Sequence, residues 1–301
     1  MAEPRQVDGG RRMEQVTISR GLIEIVILPA AGARLHRLRA FGNDVLRTPG
    51  DPAEHLADPF YWGAYVMAPW CNRLDSEPLN VGGKVVDLQP NFRDGTAIHG
   101  QVYLRPWEQE GDGEFAVRAG GDGWPWPYRV ALGIAIDERA VRLQHSLQNL
   151  ADEPMPAGMG IHPWFAKPIQ LAVAADRVYR NNQATTAAPE AVEGAFDLRR
   201  MGAMADDLDA TWADVGDPPV QLWWPQRGLQ AVMRAQSPSL HIVAASPNDI
   251  EAIAVEPETH APQGLRRLLN GEPGALQWLS PGETLRLDVV LSFEHDEPEG
   301  G

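Results

Sequence analysis

The sequence predicts an all-β protein, a large antiparallel β-sandwich, on three observations. Short β-branched and apolar runs recur at roughly 8–12-residue spacing, with turn residues between them. Several runs alternate apolar and polar side chains with the period of two that a half-buried strand requires. No amphipathic helix longer than a few turns, no internal repeat and no low-complexity linker interrupts this pattern. The 301 residues carry no break in composition. They are read as one domain over residues 13–295, with residues 1–12 and 296–301 as flexible tails.

In order, Val16 and Ile18 and then Leu22–Leu28 open the strand pattern. Ala33–Leu38 resumes it after Pro29–Gly32, and Gly42-Asn43-Asp44 reads as a tight turn. Thr48–Asp58 carries prolines and charges and reads as a loop. Phe60–Leu74 is dense in aromatics, and Gly82-Gly83 within Leu79–Leu88 signals a hairpin. Glu114–Ala119, Tyr128–Ile136 and Val141–Leu150 follow as strands, then Ile169–Val178. Asn181–Met204 shows little periodicity. Leu208–Trp212 comes next, and Leu229–Ala235, Leu240–Ala245 and Ala252–Val255 are strands. Ser280-Pro281-Gly282-Glu283 turns the chain into a last strand, Thr284–Phe293, where Leu285, Leu287, Val289 and Leu291 alternate.

Charge narrows the partners. Lys and Arg number 26 and Asp and Glu 41, so the formal net charge is −15. A chain this acidic repels nucleic acid and anionic membrane. Cys71 is the one cysteine, so no internal disulfide and no cysteine zinc site can form. Met1–Gly10 lacks an apolar signal core, and no run of about 18 apolar residues exists. These features point to a cytoplasmic protein.

Candidate chemistry centres on Gly158-Met159-Gly160-Ile161-His162-Pro163-Trp164-Phe165. Both glycines allow close backbone approach, and Pro163 restricts His162 to an extended conformation. His162 is either a general acid or base, since imidazole titrates near neutrality, or a core histidine satisfied by a carbonyl. Four other places join it. Asn72-Arg73 supplies a planar fork of donors for oxygen atoms, or a surface salt bridge. His99-Gly100 sets an imidazole beside a glycine, at a site or in solvent. Asp209 reads by itself as a helix cap or turn residue. In Val255-Glu256-Pro257-Glu258-Thr259 an apolar strand ends in a carboxylate. Desolvation there raises its pKa toward general-base values, unless an arginine such as Arg73 pairs with it.

Taken together and in this order, these motifs and the Ser280–Glu283 turn resemble the aldose 1-epimerases, or galactose mutarotases, over nearly the whole chain. His162 followed by Pro163 and Trp164 resembles a divergent bacterial branch, and Glu258 stands where that branch commonly has a hydrophobic residue. The resemblance implies a galactose mutarotase-like supersandwich. It implies Glu256 as general base and His162 as general acid, with Arg73, His99, Asp209, Asn72 and Trp164 binding the sugar. The implied reaction interconverts the α and β anomers of a free aldose by ring opening, with no cofactor and no metal. Trp62, Trp70 and Trp164 are candidates for stacking on the sugar ring. Two other readings are an epimerase of a sugar 6-phosphate, which needs clustered arginines such as Arg93, Arg105 or Arg129, and a non-catalytic sugar-binding module. The expected assembly is a monomer or a homodimer.

Overall fold

The computed structural model describes residues 13–74, 77–180 and 186–296. The segments expected as tails, apart from Asp296, lie outside these residues. The main strands are β1 (Val16–Arg20), β2 (Ile23–Leu28), β3 (Arg34–Ala40), β4 (Ala64–Met67), β5 (Glu108–Gly111), β6 (Glu114–Gly121), β7 (Trp124–Ile136), β8 (Ala140–Asn149), β9 (Gly160–Ala166), β10 (Gln170–Tyr179), β11 (Leu208–Trp224), β12 (Leu229–Gln236), β13 (His241–Ser246), β14 (Ala252–Glu258) and β15 (Thr284–His295). One helix of two turns, α1 (Gly264–Asn270), follows β14. The expected hairpin at Gly82-Gly83 joins Leu79–Val81 to Lys84–Val86.

The strands form a curled antiparallel sheet that folds into two layers. One layer runs β1–β2–β3–β4–β9–β14–β13–β11. The other runs β5–β6–β7–β8–β15–β12–β11. Strand β11 belongs to both, because Leu208–Trp212 pairs with β13 and Val220–Trp224 with β12. β10 runs along its other edge. The core between the layers takes Ile25, Val66, Ile161 and Val255 from the first and Leu132, Leu147, Met233 and Leu287 from the second. This is the large antiparallel β-sandwich that the periodicity predicts.

Two local readings differ. Thr48–Asp58 holds one helical turn, Glu54–Ala57. β11 continues twelve residues beyond Trp212, through Gly216, Pro218 and Pro219. Those residue types disfavour a strand, and the pairing register shifts where β10 passes them, between Val173 and Ala175.

Seven of the eight histidines are buried: His36, His55, His99, His145, His162, His241 and His260. Burial favours the neutral ring and lowers the pKa of all seven. His145 and His260, for example, are each held at about 4. An unfolded chain takes up these protons as pH falls through 6.5 while the folded one does not. Each extra proton on the unfolded side lowers stability by about 1.4 kcal/mol per pH unit. Two buried glutamates with raised pKa act in the opposite direction but are outnumbered. Denaturant midpoints are therefore expected to fall between pH 7.5 and 5.5. An unchanged or higher midpoint at pH 5.5 would mean that these rings are charged in the fold.

Candidate active site

Sheet register builds the site. On neighbouring strands β4, β9, β14, β13 and β11, alternate residues face the core: Val66, Ile161, Val255, Ala244 and Ala210. The intervening positions place the candidate residues on the other face. Tyr65 pairs with His162, Gly160 with Glu258, Val243 with Glu256, and Asp209 with Ala245. The register between Gly160–Glu258 and Trp164–Ala254 sets His162 beside Glu256. Pro163 and Pro257 lie within that stretch and have no N–H for the ladder. Gly160 is needed for close packing, because a Cβ there would meet Cys71 Sγ, Met67 Cε and the Pro257 carbonyl, each at 2.9 Å.

His162 Nε2 lies 3.2 Å from Glu256 Oε1, with both side chains at most 6% exposed. Burial, followed by the Arg34 charge, pushes His162 down to about 3. Burial pushes Glu256 well above the usual carboxylate range, with the Asp209 carboxylate adding to this and Arg73 opposing it. In the free protein the pair therefore holds one proton, favoured on Glu256. This is the same proton count as an imidazolium beside a carboxylate, with the proton shifted across the 3.2 Å contact. Neither a core histidine satisfied by a carbonyl nor a glutamate paired with Arg73 describes the arrangement.

Arg73 is held by two acids. Its Nε donates to Asp94 Oδ2 at 2.8 Å, and its Nη1 lies 3.8 Å from Asp209 Oδ2. Asn72 and His99 lock each other through backbone: His99 N–H donates to the Asn72 carbonyl at 3.1 Å, and Asn72 N–H donates to His99 Nδ1 at 3.2 Å. Since Nδ1 accepts, the neutral ring carries its hydrogen on Nε2 and is a donor there. Both residues sit at positive φ, 52° and 61°. Next to them, Gly100 passes so close to Ala68 that a Cβ would lie 1.9 Å from its carbonyl oxygen. Asn72 Oδ1 accepts the Arg73 backbone N–H at 2.8 Å. One ring nitrogen each of His99 and His162 and one carboxyl oxygen of Glu256 lie within 4.8 Å of one another, the spacing of a set of metal ligands.

A cleft of about 340 Å³ opens over this floor, within the size range of small-molecule sites. Its lining includes Arg73, His99, His162, Asp209, Glu256, Asn72 and Trp164, so all seven sequence candidates meet there. Phe60, Tyr61 and Phe92 add aromatic walls. Trp164 is fixed by its Nε1–H, which donates to the Phe60 carbonyl at 2.5 Å.

Some assignments change. Asp209 lies in strand β11 and caps no helix. Trp70 is core, packed on Trp124 at 5.2 Å, and the Arg47 guanidinium sits 3.5 Å over Trp62. Arg105 pairs with Asp122 and Arg129 with Glu110, so of the three arginines considered for a phosphate only Arg93 lines the cleft. Three contributors escaped sequence reading. Asp94 holds Arg73 from 21 residues away. Tyr65 stacks on His162 at 4.6 Å between ring centres. Arg34, fully buried, lies 4.5 Å from the Tyr65 ring centre and donates to the Pro59 carbonyl at 2.7 Å and the Trp62 carbonyl at 3.2 Å. Arg34 and His36 share a face, where both reach His55, but a register shift in β3 breaks the alternation that would have signalled it.

A family model, Aldose 1-epimerase, matches residues 14–292. The chain belongs to the aldose 1-epimerase family. It is 22% identical over 298 residues to the uncharacterised Escherichia coli K12 protein YphB, spanning 92% of this chain and 98% of that one. Among solved structures it superposes on a galactose mutarotase-like protein from Clostridium acetobutylicum, with TM-score 0.81 and 18% identity over 94% and 95% of the two chains. A galactose 1-epimerase from Lactobacillus acidophilus gives 0.76 and 16% over the same shares. The sandwich is thus a galactose mutarotase-like fold, and membership of the family supports sugar epimerase chemistry.

Nitrogen-15 NMR of the histidine rings tests the electrostatics. His162 is expected to be neutral at pH 7 and to gain its proton only at about 3. A ring titrating near 6.5 would contradict the buried, desolvated geometry.

Proposed function

We propose that the protein is an aldose 1-epimerase acting on a free, uncharged aldose, with Glu256 and His162 as its acid–base pair and residues 13–295 as one catalytic domain. The observation that carries this is the 3.2 Å approach of His162 Nε2 to Glu256 Oε1 on the floor of the cleft. Glu256 first passes its proton to His162 across their contact; as carboxylate it then takes the proton from the anomeric hydroxyl while His162 gives one to the ring oxygen. The bond from the anomeric carbon to the ring oxygen breaks, and the open chain carries an aldehyde. Rotation about the adjoining carbon–carbon bond and reclosure on the other face give the second anomer, with both protons returned. Arg73 favours the ionised form of Glu256. His99 Nε2–H and the Arg73 fork offer donors to the sugar oxygens, Asp209 accepts from its hydroxyls, and Trp164 packs on its apolar face.

Lining charge supports a neutral substrate. Asp58, Asp209, Asp249 and Glu256 stand against Arg73 and Arg93, four carboxyl groups to two guanidinium groups. Arg73 is already engaged by Asp94 and Asp209. A phosphate dianion would meet net repulsion there.

Anomer interconversion of α-glucose, α-galactose and their 6-phosphates, followed by polarimetry or proton NMR, checks the proposal. Catalysis of a free sugar is expected, with Glu256→Gln and His162→Asn each losing about 10²–10⁴-fold. A preference for the 6-phosphates would overturn the neutral-substrate reading. No acceleration of any sugar would overturn the activity itself.

A further inference from the structure

Glu258 is fully buried, two residues beyond Glu256 on the same face of β14, and does not line the cleft. Groups from every side of it leave it without a charge partner. On β13, its register partner His241 is buried and neutral, its ring held at about 3. On β9 its partner is Gly160, with no side chain. Cys71 approaches as a buried thiol that burial pushes up. His260 is occupied, with Nε2 accepting the Cys71 N–H and Nδ1 bonded to the Ala261 carbonyl. The charge that β11 contributes, Asp209, has the same sign. Arg73, the nearby cation, acts on Glu256.

Counted as two ions, Glu256 and Glu258 leave three of their four oxygens with no donor: Glu256 Oε2 and both oxygens of Glu258. Buried polar atoms in that condition are rare, and an unpaired buried carboxylate is strongly disfavoured. Yet the two carboxyl groups are within hydrogen-bonding reach of each other. Both groups are pushed well above the usual carboxylate range, so in the free protein each carries a proton, that of Glu256 facing His162 and that of Glu258 facing Glu256. When Glu256 ionises beside Arg73, the proton that remains belongs on Glu258, the member with no cation nearby.

We propose that Glu258 is a positioning residue that stays protonated and donates its O–H to Glu256 Oε2, holding Oε1 toward His162. Building on the epimerase reading, this gives the base a fixed orientation and a donor that stabilises its ionised form. Glu258 touches no substrate.

Infrared spectroscopy locates the proton without reference to activity. At pH 7 the Glu256→Gln variant is expected to keep a carboxylic acid band from a buried group, and Glu256→Gln/Glu258→Gln to lose it. Absence of that band from the single variant overturns the proposal. Kinetics with the most active free aldose give the second arm. Glu258→Met, which has no donor, is expected to lower kcat about 10- to 100-fold with KM little changed, and to move the ionisation of Glu256 in the pH profile upward. Glu258→Gln keeps an N–H donor and is expected to remain within about tenfold of wild type, with a smaller upward move. An ionisation that moves downward in either variant would show that Glu258 is charged, and an unmoved one that it is merely structural; both overturn the proposal. If no sugar is turned over, the epimerase reading fails while the infrared arm still decides the proton.

Discussion

The 3.2 Å contact between His162 Nε2 and Glu256 Oε1 joins two strands that are far apart in sequence, and the rest of the site is arranged around it. It forms because β9 and β14 are in one fixed register, and register is strongly specified when the opposite face of a sheet is a packed core. Ile161, Ile253 and Val255 supply that core face. A slip of one residue would turn His162 and Glu256 into the apolar layer and expose the isoleucines. The apolar packing that stabilises the sandwich therefore also sets the geometry of the His162–Glu256 pair.

Placing ionisable groups this deep demands that few of them be charged, since an uncompensated buried ion costs on the order of several kcal/mol. The protein meets the demand in three ways. Its buried histidines stay neutral and exchange hydrogen bonds as donor or acceptor, as with His36 Nδ1 and His55 Nε2 at 2.9 Å. Arg34 keeps its charge but rests on two carbonyls and the Tyr65 ring. Glu256 faces a neutral imidazole on one side and a carboxyl group on the other. What results is a cleft floor on which one proton lies between His162 and Glu256, with Arg73 near enough to favour the ionised glutamate.

Much of this was legible in the sequence. Alternation in β7, β8 and β15 gave the strands, and Val255-Glu256-Pro257 announced a carboxylate at the end of an apolar run. The seven candidates meet in one cleft because each stands in a short motif with its own backbone signature: a glycine, a proline or an abrupt change of polarity. Long-range partners have no such signature. Nothing local ties Asp94 to Arg73, Arg34 to Tyr65, or Trp70 to Trp124, since only the folded sheet brings them together. The second half of β11 was hidden for the opposite reason. Its local residues argue for a turn, and pairing with β10 and β12 overrides them.

A double-mutant cycle on anomer interconversion addresses the central claim, that His162 and Glu256 act as one proton-transferring unit. Glu256→Gln, His162→Asn and the combined variant are compared by kcat/KM on a free aldose. Residues that work as a unit lose their function together, so the combined variant is expected to be little worse than the poorer single variant. Losses that multiply, each residue contributing regardless of the other, would contradict a shared role and return the two side chains to independent tasks.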